Sequence, residues 1–541
     1  MTRFVQIYGL LSVLIRGATL SLQSLVIGGI VFLLFVAPSQ GNSGVRQWES
    51  LQWVRRWSLA LAIIQTAYLF ANTVVLMEPG DMKLSDLLGA DFVKAGIIAL
   101  VSALAIAFGV SVPRQERYLL IPAALILASS VMTSHAISRL GGRFVPLFFT
   151  ASHQAATAAW LGGLPYLLLY LRNAPGPAAQ KLCARFSKLA LLSVSILIAA
   201  GVSLGSVYVG SWEAFYGTSY GVMLGGKVLL LWLVLMVGFL NFRLVRRGID
   251  SGRSIAMKLR RFGEVEIAVG FSIILAAASL SSLPPAADFV AGRVTRGEIA
   301  ARLRPRWPRL CASFASERCQ QSSNLLSQQR VSSPSPEPHA PGQTGVRLGT
   351  AAGIAWSECN HHWAGLAVFA MGFFAFLART GKAHWAGNWP LLFLGLGAFI
   401  IYRADPENWP LGPNGFWTSF ADPEVLLHRV FAALIITFGV FERRVQTGHV
   451  IFQRVSLVFP SIAALGSALL LTHSHNLGST KEEVLAELSH TLLAILGMVA
   501  GASRWLELRL PSEDRVRQVV SWLWPLCLLL IGMILWNYRE S

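Results

Sequence analysis

Eight of the eleven histidines in this chain fall where apolar stretches meet polar ones. A neutral imidazole nitrogen is the commonest metal ligand of proteins, and it binds copper, zinc, nickel or iron. If the apolar stretches are membrane spans, all eight histidines lie at one side of the membrane, and we predict a shared metal site there. The eight are His135, His153, His361, His362, His428, His473, His475 and His490.

The second half of the chain carries the densest part of this pattern. His473-Ser-His475 is a close pair of imidazoles, and Cys359-Asn-His361-His362 places a thiol beside two more. We include Cys359 among the candidate ligands because thiolate and imidazole together suit soft metals. Histidine also tolerates the membrane interface, where one ring edge is wet, so an interfacial packing role stays open for each single residue. As a set, the residues favour a metal or haem site.

The composition identifies the class of protein that must position these side chains. Hydrophobic residues make up 54% of the chain, charged residues 13%, and the mean hydropathy is +0.55, whereas soluble proteins carry about 25% charged residues. A spanning helix needs about 20 mostly apolar residues, and we predict an all-α, polytopic transmembrane bundle of about fourteen spans. The predicted spans are Leu10–Val36, Ser58–Leu76, Phe92–Val110, Tyr118–Ala136, Leu147–Leu171, Phe186–Tyr208, Tyr220–Val245, Val265–Leu283, His361–Leu377, Trp389–Ile401, Glu424–Phe441, Phe452–Leu471, Val484–Trp505 and Val519–Asn537.

Short loops predict the orientation, because Lys and Arg concentrate on the cytoplasmic side. Basic loops follow every second span; the densest runs from Arg243 to Arg261, and the last begins near Arg504. The loops between them are poor in cations, except for the ambiguous one that holds Arg139 and Arg143. We therefore expect a multi-pass inner-membrane protein with both termini in the periplasm and the histidines at the outer face.

The formal charge of +18 does not indicate nucleic-acid binding, because the cations flank the predicted spans. Topology and contact with anionic lipid explain them better. No phosphate-binding loop, nucleophile elbow or HExxH motif is present in the sequence. We accordingly expect a protein that is not an enzyme, and whose transport, if it has any, is passive or driven by a gradient.

The spans form two blocks separated by a polar stretch. We predict an N-terminal eight-span block (1–285), an external linker (286–358) and a C-terminal six-span block (359–541). The linker contains the Pro- and Ser-rich segment Ser332–Gln343 and an Arg-rich segment, Arg293–Arg309, which is a candidate surface helix. Cys311 and Cys319 in the linker are candidates for a disulfide, because an oxidising compartment permits one.

Ionisable residues inside spans are candidates for function by default. We expect Lys94 and Glu266, near span ends, to extend toward the interface. Lys227 lies deeper and is either functional or paired with a carboxylate. Glu487, like Glu482 and Glu483, is a candidate acceptor for a ring N–H.

Several strings resemble the copper resistance D (CopD) family and occur in that family's order. In the first block they are HQAATAAWLGGLPY (153–166), YGTSYGVMLGGKVLLL (216–231), NFR (241–243), VEIAVG (265–270) and SLPPAADF (282–289), within a CopD-like region of about 147–289. The second block is similar to a C-terminal extension of longer members through WSECNHHWAGL (356–366), GFWTSFADPEVLLHR (415–429), LLLTHSHNLG (469–478) and ELSHTLLAILG (487–497).

The resemblance implies a protein of copper homeostasis that moves copper between periplasm and cytoplasm, with a periplasmic copper-binding protein as a possible partner. The family is also distantly similar to membrane cytochromes b, so a haem-binding electron-transfer protein is the alternative. In that case His428 and His490 form one candidate pair of axial ligands. An assembly factor without bound metal is the third hypothesis.

Overall fold

The structure, a computed structural model, is predominantly helical in the part of the chain that it describes. It describes residues 2–37, 44–80, 89–110, 116–138, 143–172, 176–246, 253–289, 292–308, 310, 351–405, 408–420, 422–448, 457–471 and 480–539. Within these ranges no strand forms, and one isolated bridge joins Asn408 and Asn414. Helices dominate because a helix satisfies its own backbone polar groups, which lipid cannot do. The predicted all-α class is confirmed.

The described residues form nineteen α-helices. Up to residue 280 they are α1 (Thr2–Phe35), α2 (Gly44–Gly80), α3 (Asp91–Gly109), α4 (Leu120–Met132), α5 (His135–Ser138), α6 (Phe144–Thr157), α7 (Leu164–Leu171), α8 (Gly176–Val209), α9 (Trp212–Gly217), α10 (Ser219–Arg246) and α11 (Arg253–Leu280). Beyond residue 280 they are α12 (Arg296–Leu303), α13 (Ala351–Arg379), α14 (Leu391–Arg403), α15 (Phe416–Ser419), α16 (Pro423–Gln446), α17 (Val458–Leu470), α18 (Thr480–Arg509) and α19 (Arg515–Trp536).

Ten of the described helices are long and apolar enough to cross a membrane, which supports a polytopic bundle. Shorter apolar helices occupy three more predicted spans, at Arg117–Met132, Leu391–Arg403 and Pro460–Leu470. The remaining predicted span, Leu147–Leu171, is divided by a π-helical turn at Ala158–Gly162. The number of spans stays a prediction.

The π-turn lies where α1 crosses this divided span. A Cβ atom on Gly162 would lie 1.8 Å from the Ser24 carbonyl oxygen, and one on Gly28 would lie 2.3 Å from the Ala158 carbonyl oxygen. Only glycine therefore permits this approach of two backbones, in the manner of small-residue contacts between membrane helices.

The chain forms two compact units. The first unit comprises Leu11–Trp212 and Lys227–Asp288, and the second comprises Met1–Leu10, Glu213–Gly226 and Phe289–Ser541. The predicted division at residues 285 and 359 stays a prediction.

The second unit packs around an aromatic core. Met371 of α13 and Trp524 of α19 are almost completely buried there, together with Trp389, Phe393 and Phe438. The rings of Phe393 and Phe438 meet edge to face, with centroids 4.3 Å apart. This core holds together α13, α14, α16 and α19, two of which carry candidate histidines.

Part of the predicted linker belongs to regular structure. The Arg-rich segment contains α12, whose start is closed by a capping box between Thr295 and Glu298. Helix α13 begins at Ala351, inside the predicted linker and ten residues before the predicted span. The Pro- and Ser-rich segment and the cysteine pair 311/319 lie outside the described residues.

Candidate histidine cluster in the second unit

Three of the predicted site residues lie at the same end of the second unit. His361 lies on α13, His428 on α16 and His490 on α18. His361 interacts electrostatically with both of the others, and His490 interacts with His428. We call these three residues the histidine cluster.

The oxygen nearest to Nδ1 in each ring of the cluster is one that only accepts; beside His361 the Ser357 hydroxyl is farther away, at 3.4 Å. His361 Nδ1 lies 2.9 Å from the Ser357 carbonyl oxygen, and His490 Nδ1 lies 2.8 Å from the Ala486 carbonyl oxygen. In both cases the acceptor is four residues earlier on the same helix. Because a carbonyl oxygen has no proton to give, Nδ1 carries the hydrogen in both rings.

The third ring is oriented by a carboxylate from another part of the chain. His428 Nδ1 lies 3.0 Å from Oδ1 of Asp405, just after the end of α14, and both side chains are largely buried. Metal-binding histidines commonly donate their second ring nitrogen to a carbonyl or carboxylate. In the neutral form of all three rings, Nε2 is then the nitrogen with a lone pair.

Tyr538, just beyond the end of α19, packs against the cluster. Its ring stacks on His361 with centroids 4.0 Å apart and meets His490 edge to face at 5.9 Å. Its carbonyl oxygen accepts a hydrogen bond from His362 Nε2 at 2.9 Å. The Tyr538 ring thus packs against two of the three imidazoles. The Nε2 atom of His362 is used in the hydrogen bond to the Tyr538 backbone.

Arg302 of α12 lies over the Tyr538 ring beside the histidine cluster. The Arg302 guanidinium lies 5.5 Å from the centre of the Tyr538 ring and interacts electrostatically with His490. Arg539 donates to the Arg304 carbonyl oxygen at 2.8 Å, which ties the chain end to the segment after α12. The histidine cluster is therefore enclosed by α12 and by the residues that follow α19.

The other predicted ligands differ in their surroundings. Cys359 is completely buried and disulfide-bonded, and in this state it has no thiolate to offer a metal. His473 and His475 lie outside the described residues. Among the described residues, no three His, Cys, Asp or Glu side chains converge closely enough to hold a metal ion by themselves.

His135 and His153 belong to the first unit, and each contacts α8. The His135 ring meets Tyr208 edge to face, with centroids 6.5 Å apart. His153 packs beside Gly201, where a Cβ atom would lie 3.6 Å from the imidazole Cε1. The two contacted residues, Gly201 and Tyr208, are two turns apart on α8, so His135 and His153 do not share one contact site on that helix.

Sequence reasoning missed three residues of this arrangement. Asp405, Tyr538 and Arg302 are far from the histidines in sequence, and no local spacing connects them. The acceptors at Ser357 and Ala486 could have been found, because a residue four positions earlier lies on the same helix face. The predicted acceptors Glu482, Glu483 and Glu487 do not take these Nδ1 hydrogens.

Comparison with known proteins adds an independent observation. Residues 180–280 match the family described as Copper resistance protein D. The Copper transport protein CutJ of Bacillus subtilis (strain 168) is 28% identical over 163 residues, which is 29% of this chain and 29% of that protein. The match thus spans less than a third of the curated relative. No solved structure matches the chain. The resemblance to the copper resistance D family is thereby confirmed over residues 180–280, and the motifs outside that range stay a resemblance.

Proposed function

We propose that this protein moves copper between the periplasm and the cytoplasm as a multi-pass inner-membrane protein, and that the histidine cluster is part of the outer binding site. The observation that carries the proposal is the position of Nδ1 in His361, His428 and His490, each beside an oxygen acceptor. Three helices each present a ring whose Nδ1 is committed to an oxygen acceptor. The remaining nitrogen, Nε2, is the one that can bind a metal.

Two lines of support are independent of each other. The family match covers residues 180–280, and the histidine cluster lies outside that range. The family match and the CutJ relative associate the chain with copper, whereas the cluster supplies the donors that copper prefers. Neither line depends on the other.

Soft donors also lie farther along two of the same helices. Met371 follows His361 on α13, and Met498 follows His490 on α18; both are almost completely buried. At 1.5 Å per residue, each thioether is about 12–15 Å along the helix from its histidine. Thioether sulfur favours Cu(I), so these residues extend the set of copper ligands into the bundle.

Copper binding to purified protein tests the proposal most directly. A triple variant, His361→Ala, His428→Ala and His490→Ala, should lose bound copper as measured by elemental analysis, and should lose copper flux in proteoliposomes. His384→Ala is the matched control, because His384 is exposed in the turn that follows α13. A folded triple variant that binds and transports as much copper as the parent would overturn the proposal.

The pair outside the described residues needs its own variant. His473→Ala with His475→Ala should reduce copper binding if these imidazoles complete the site, while membrane insertion should persist because it depends on span length. Cellular tolerance then reports the direction of movement. Losing an importer raises tolerance to copper, and losing a detoxifying protein lowers it.

The same tautomers keep a second candidate function open. Two imidazoles that each present Nε2 can ligate haem from opposite faces, and His428 with His490 is the pair that the sequence suggested. Haem-reconstituted protein would then show a Soret band that disappears in either single alanine variant. Copper binding without such a band supports transport rather than electron transfer.

A further inference from the structure

The first unit contains a cavity of about 380 Å³, and most of the residues that line it belong to the range 180–280 matched by the family. It is bounded by the π-turn, α7, α8, α10 and α11, and half of its lining residues are leucine or phenylalanine. Leu191 and Phe239 line it and are each more than half exposed, so the cavity opens at the surface of the unit. Its volume falls within the range of small-molecule sites.

The cavity lies at one end of these helices. Residues close to the end of α7 and α10, and close to the start of α8 and α11, all line it. The connections at that end are the basic loops predicted to face the cytoplasm. An amphiphile lying in the inner leaflet would therefore meet this opening.

A buried carboxyl group faces this apolar space. Glu266 is only 4% exposed, although its position in the sequence suggested that it would extend toward the interface. Its Oε1 accepts a hydrogen bond from the Asn241 amide, and among the described residues no cation pairs with it. A buried carboxyl group without a cation is costly, and intramembrane ionisable residues commonly mark a binding or transport site.

Around Glu266 there are more hydrogen-bond acceptors than donors. Asn241 Oδ1 is buried and has no hydrogen-bond partner among the described residues. Gly238 leaves space beside the carboxyl, because a Cβ atom there would lie 3.7 Å from Glu266 Oε2. An ammonium group has three donors and no acceptor, so it can satisfy both side chains at once.

We propose that this cavity binds an amphiphile with a primary ammonium head group, which donates to Glu266 and Asn241 while its alkyl chain lies against the apolar walls. Free alkylamines and amine-bearing phospholipids share this chemistry. The proposal goes beyond copper movement and does not depend on it. An alcohol or carboxylic acid of the same length has at most one O–H donor, so at least one of the two acceptors would lack a hydrogen bond.

A photoreactive alkylamine with a diazirine on its chain tests this assignment in nanodiscs of phosphatidylcholine. Cross-linked peptides should map to cavity residues such as Leu167 and Leu235, at least about tenfold more strongly than with the matching alcohol or carboxylic acid. Glu266→Gln should reduce cross-linking by the amine probe to the level seen with the alcohol probe. Equal labelling by all three probes, or unchanged labelling in Glu266→Gln, would overturn the proposal.

A second pair of variants separates loss of the site from loss of the fold. Gly238→Leu fills the space beside the carboxyl and should abolish cross-linking. Gly205→Leu is the matched control on α8, because a Cβ atom there meets nothing within 4 Å. Adding phosphatidylethanolamine to the nanodiscs distinguishes the two sources. If phosphatidylethanolamine reduces cross-linking by the probe, the natural ligand is a lipid amine. If it does not, the ligand is a free alkylamine. Cross-linking that persists in Gly238→Leu would count against the cavity as the site.

Discussion

The Nδ1 atom of His428 lies 3.0 Å from Oδ1 of Asp405, so a carboxylate orients one ring of the histidine cluster. The carboxylate fixes the hydrogen on Nδ1 and makes Nε2 a better donor to a metal. Asp405 is close to the end of α14 and His428 is in the first turns of α16, so the contact joins two helices. The pair connects the packing of the second unit to the proposed copper chemistry.

Replacing this carboxylate should weaken copper binding without removing a ligand. Asp405→Asn keeps the shape of the side chain but loses its charge, and loss of such a supporting contact typically costs about 10–100-fold in metal affinity. Competition titration with a copper chelator would measure the change. Glu513→Gln, at an exposed carboxylate before α19, is the control and should bind like the parent. Equal affinities in the two variants would exclude a role for Asp405.

The opposite end of the second unit contains a buried ion-pair network. Arg504 on α18 donates to Glu442 on α16 at 2.6 Å and to Glu507 at 2.7 Å. Arg379, at the end of α13, donates to Glu507, and so does the indole of Trp524 on α19. The network ties four helices together with two cations and two carboxylates.

Removing one charge from this network should destabilise the protein strongly. Arg504→Leu leaves Glu442, which is 0% exposed, without a cation, and we expect a loss of about 3–5 kcal/mol in the free energy of unfolding. Denaturant titration in detergent would measure this loss. Adding Glu442→Leu should restore part of the stability, because no buried charge then lacks a partner. Arg515→Leu, at an exposed position, should change little; an equal loss there would contradict the explanation.

These two sites show what the sequence could predict and what it could not. Apolar length predicted the helices, and the spacing of His361, His428 and His490 relative to helix starts predicted that they share one end. The partners of these rings depend on which helices become neighbours, and hydropathy contains no such information. Arg504 illustrates the same limit: it reads as a loop cation, but α18 continues to Arg509 and buries it between carboxylates.

A surface ion pair gives the contact of α12 with α18 a dependence on pH. The pKa of the Glu298 carboxyl is lowered to about 2, chiefly by the hydrogen bond from the Lys481 ammonium and then by the Thr295 backbone and hydroxyl. A lowered pKa means that the contact is fully present above the ordinary value of 4.5 and is lost as the pH falls toward 2. Amide exchange of α12, corrected for intrinsic rates, should accelerate over that window.

Lys481→Met provides the matched variant for this pH effect. Without the ammonium, the capping box with Thr295 remains, so α12 should form but exchange faster at neutral pH than in the parent. The acceleration on acidification should also be smaller and begin at a higher pH. An identical pH profile in the parent and in Lys481→Met would show that the ion pair does not hold α12 in place.

The orientation in the membrane decides whether the histidine cluster can receive copper from the periplasm. Trp307, just after α12, is 94% exposed, and α12 lies at the same end of the second unit as the cluster because Arg302 packs against Tyr538. Arg246, at the end of α10, is part of the densest basic loop, which the positive-inside rule places in the cytoplasm. In intact cells, a membrane-impermeant maleimide should label Trp307→Cys and leave Arg246→Cys unlabelled, relative to the parent. The reverse pattern would put the cluster at the cytoplasmic face, where the same three imidazoles could release copper but could not capture it from outside.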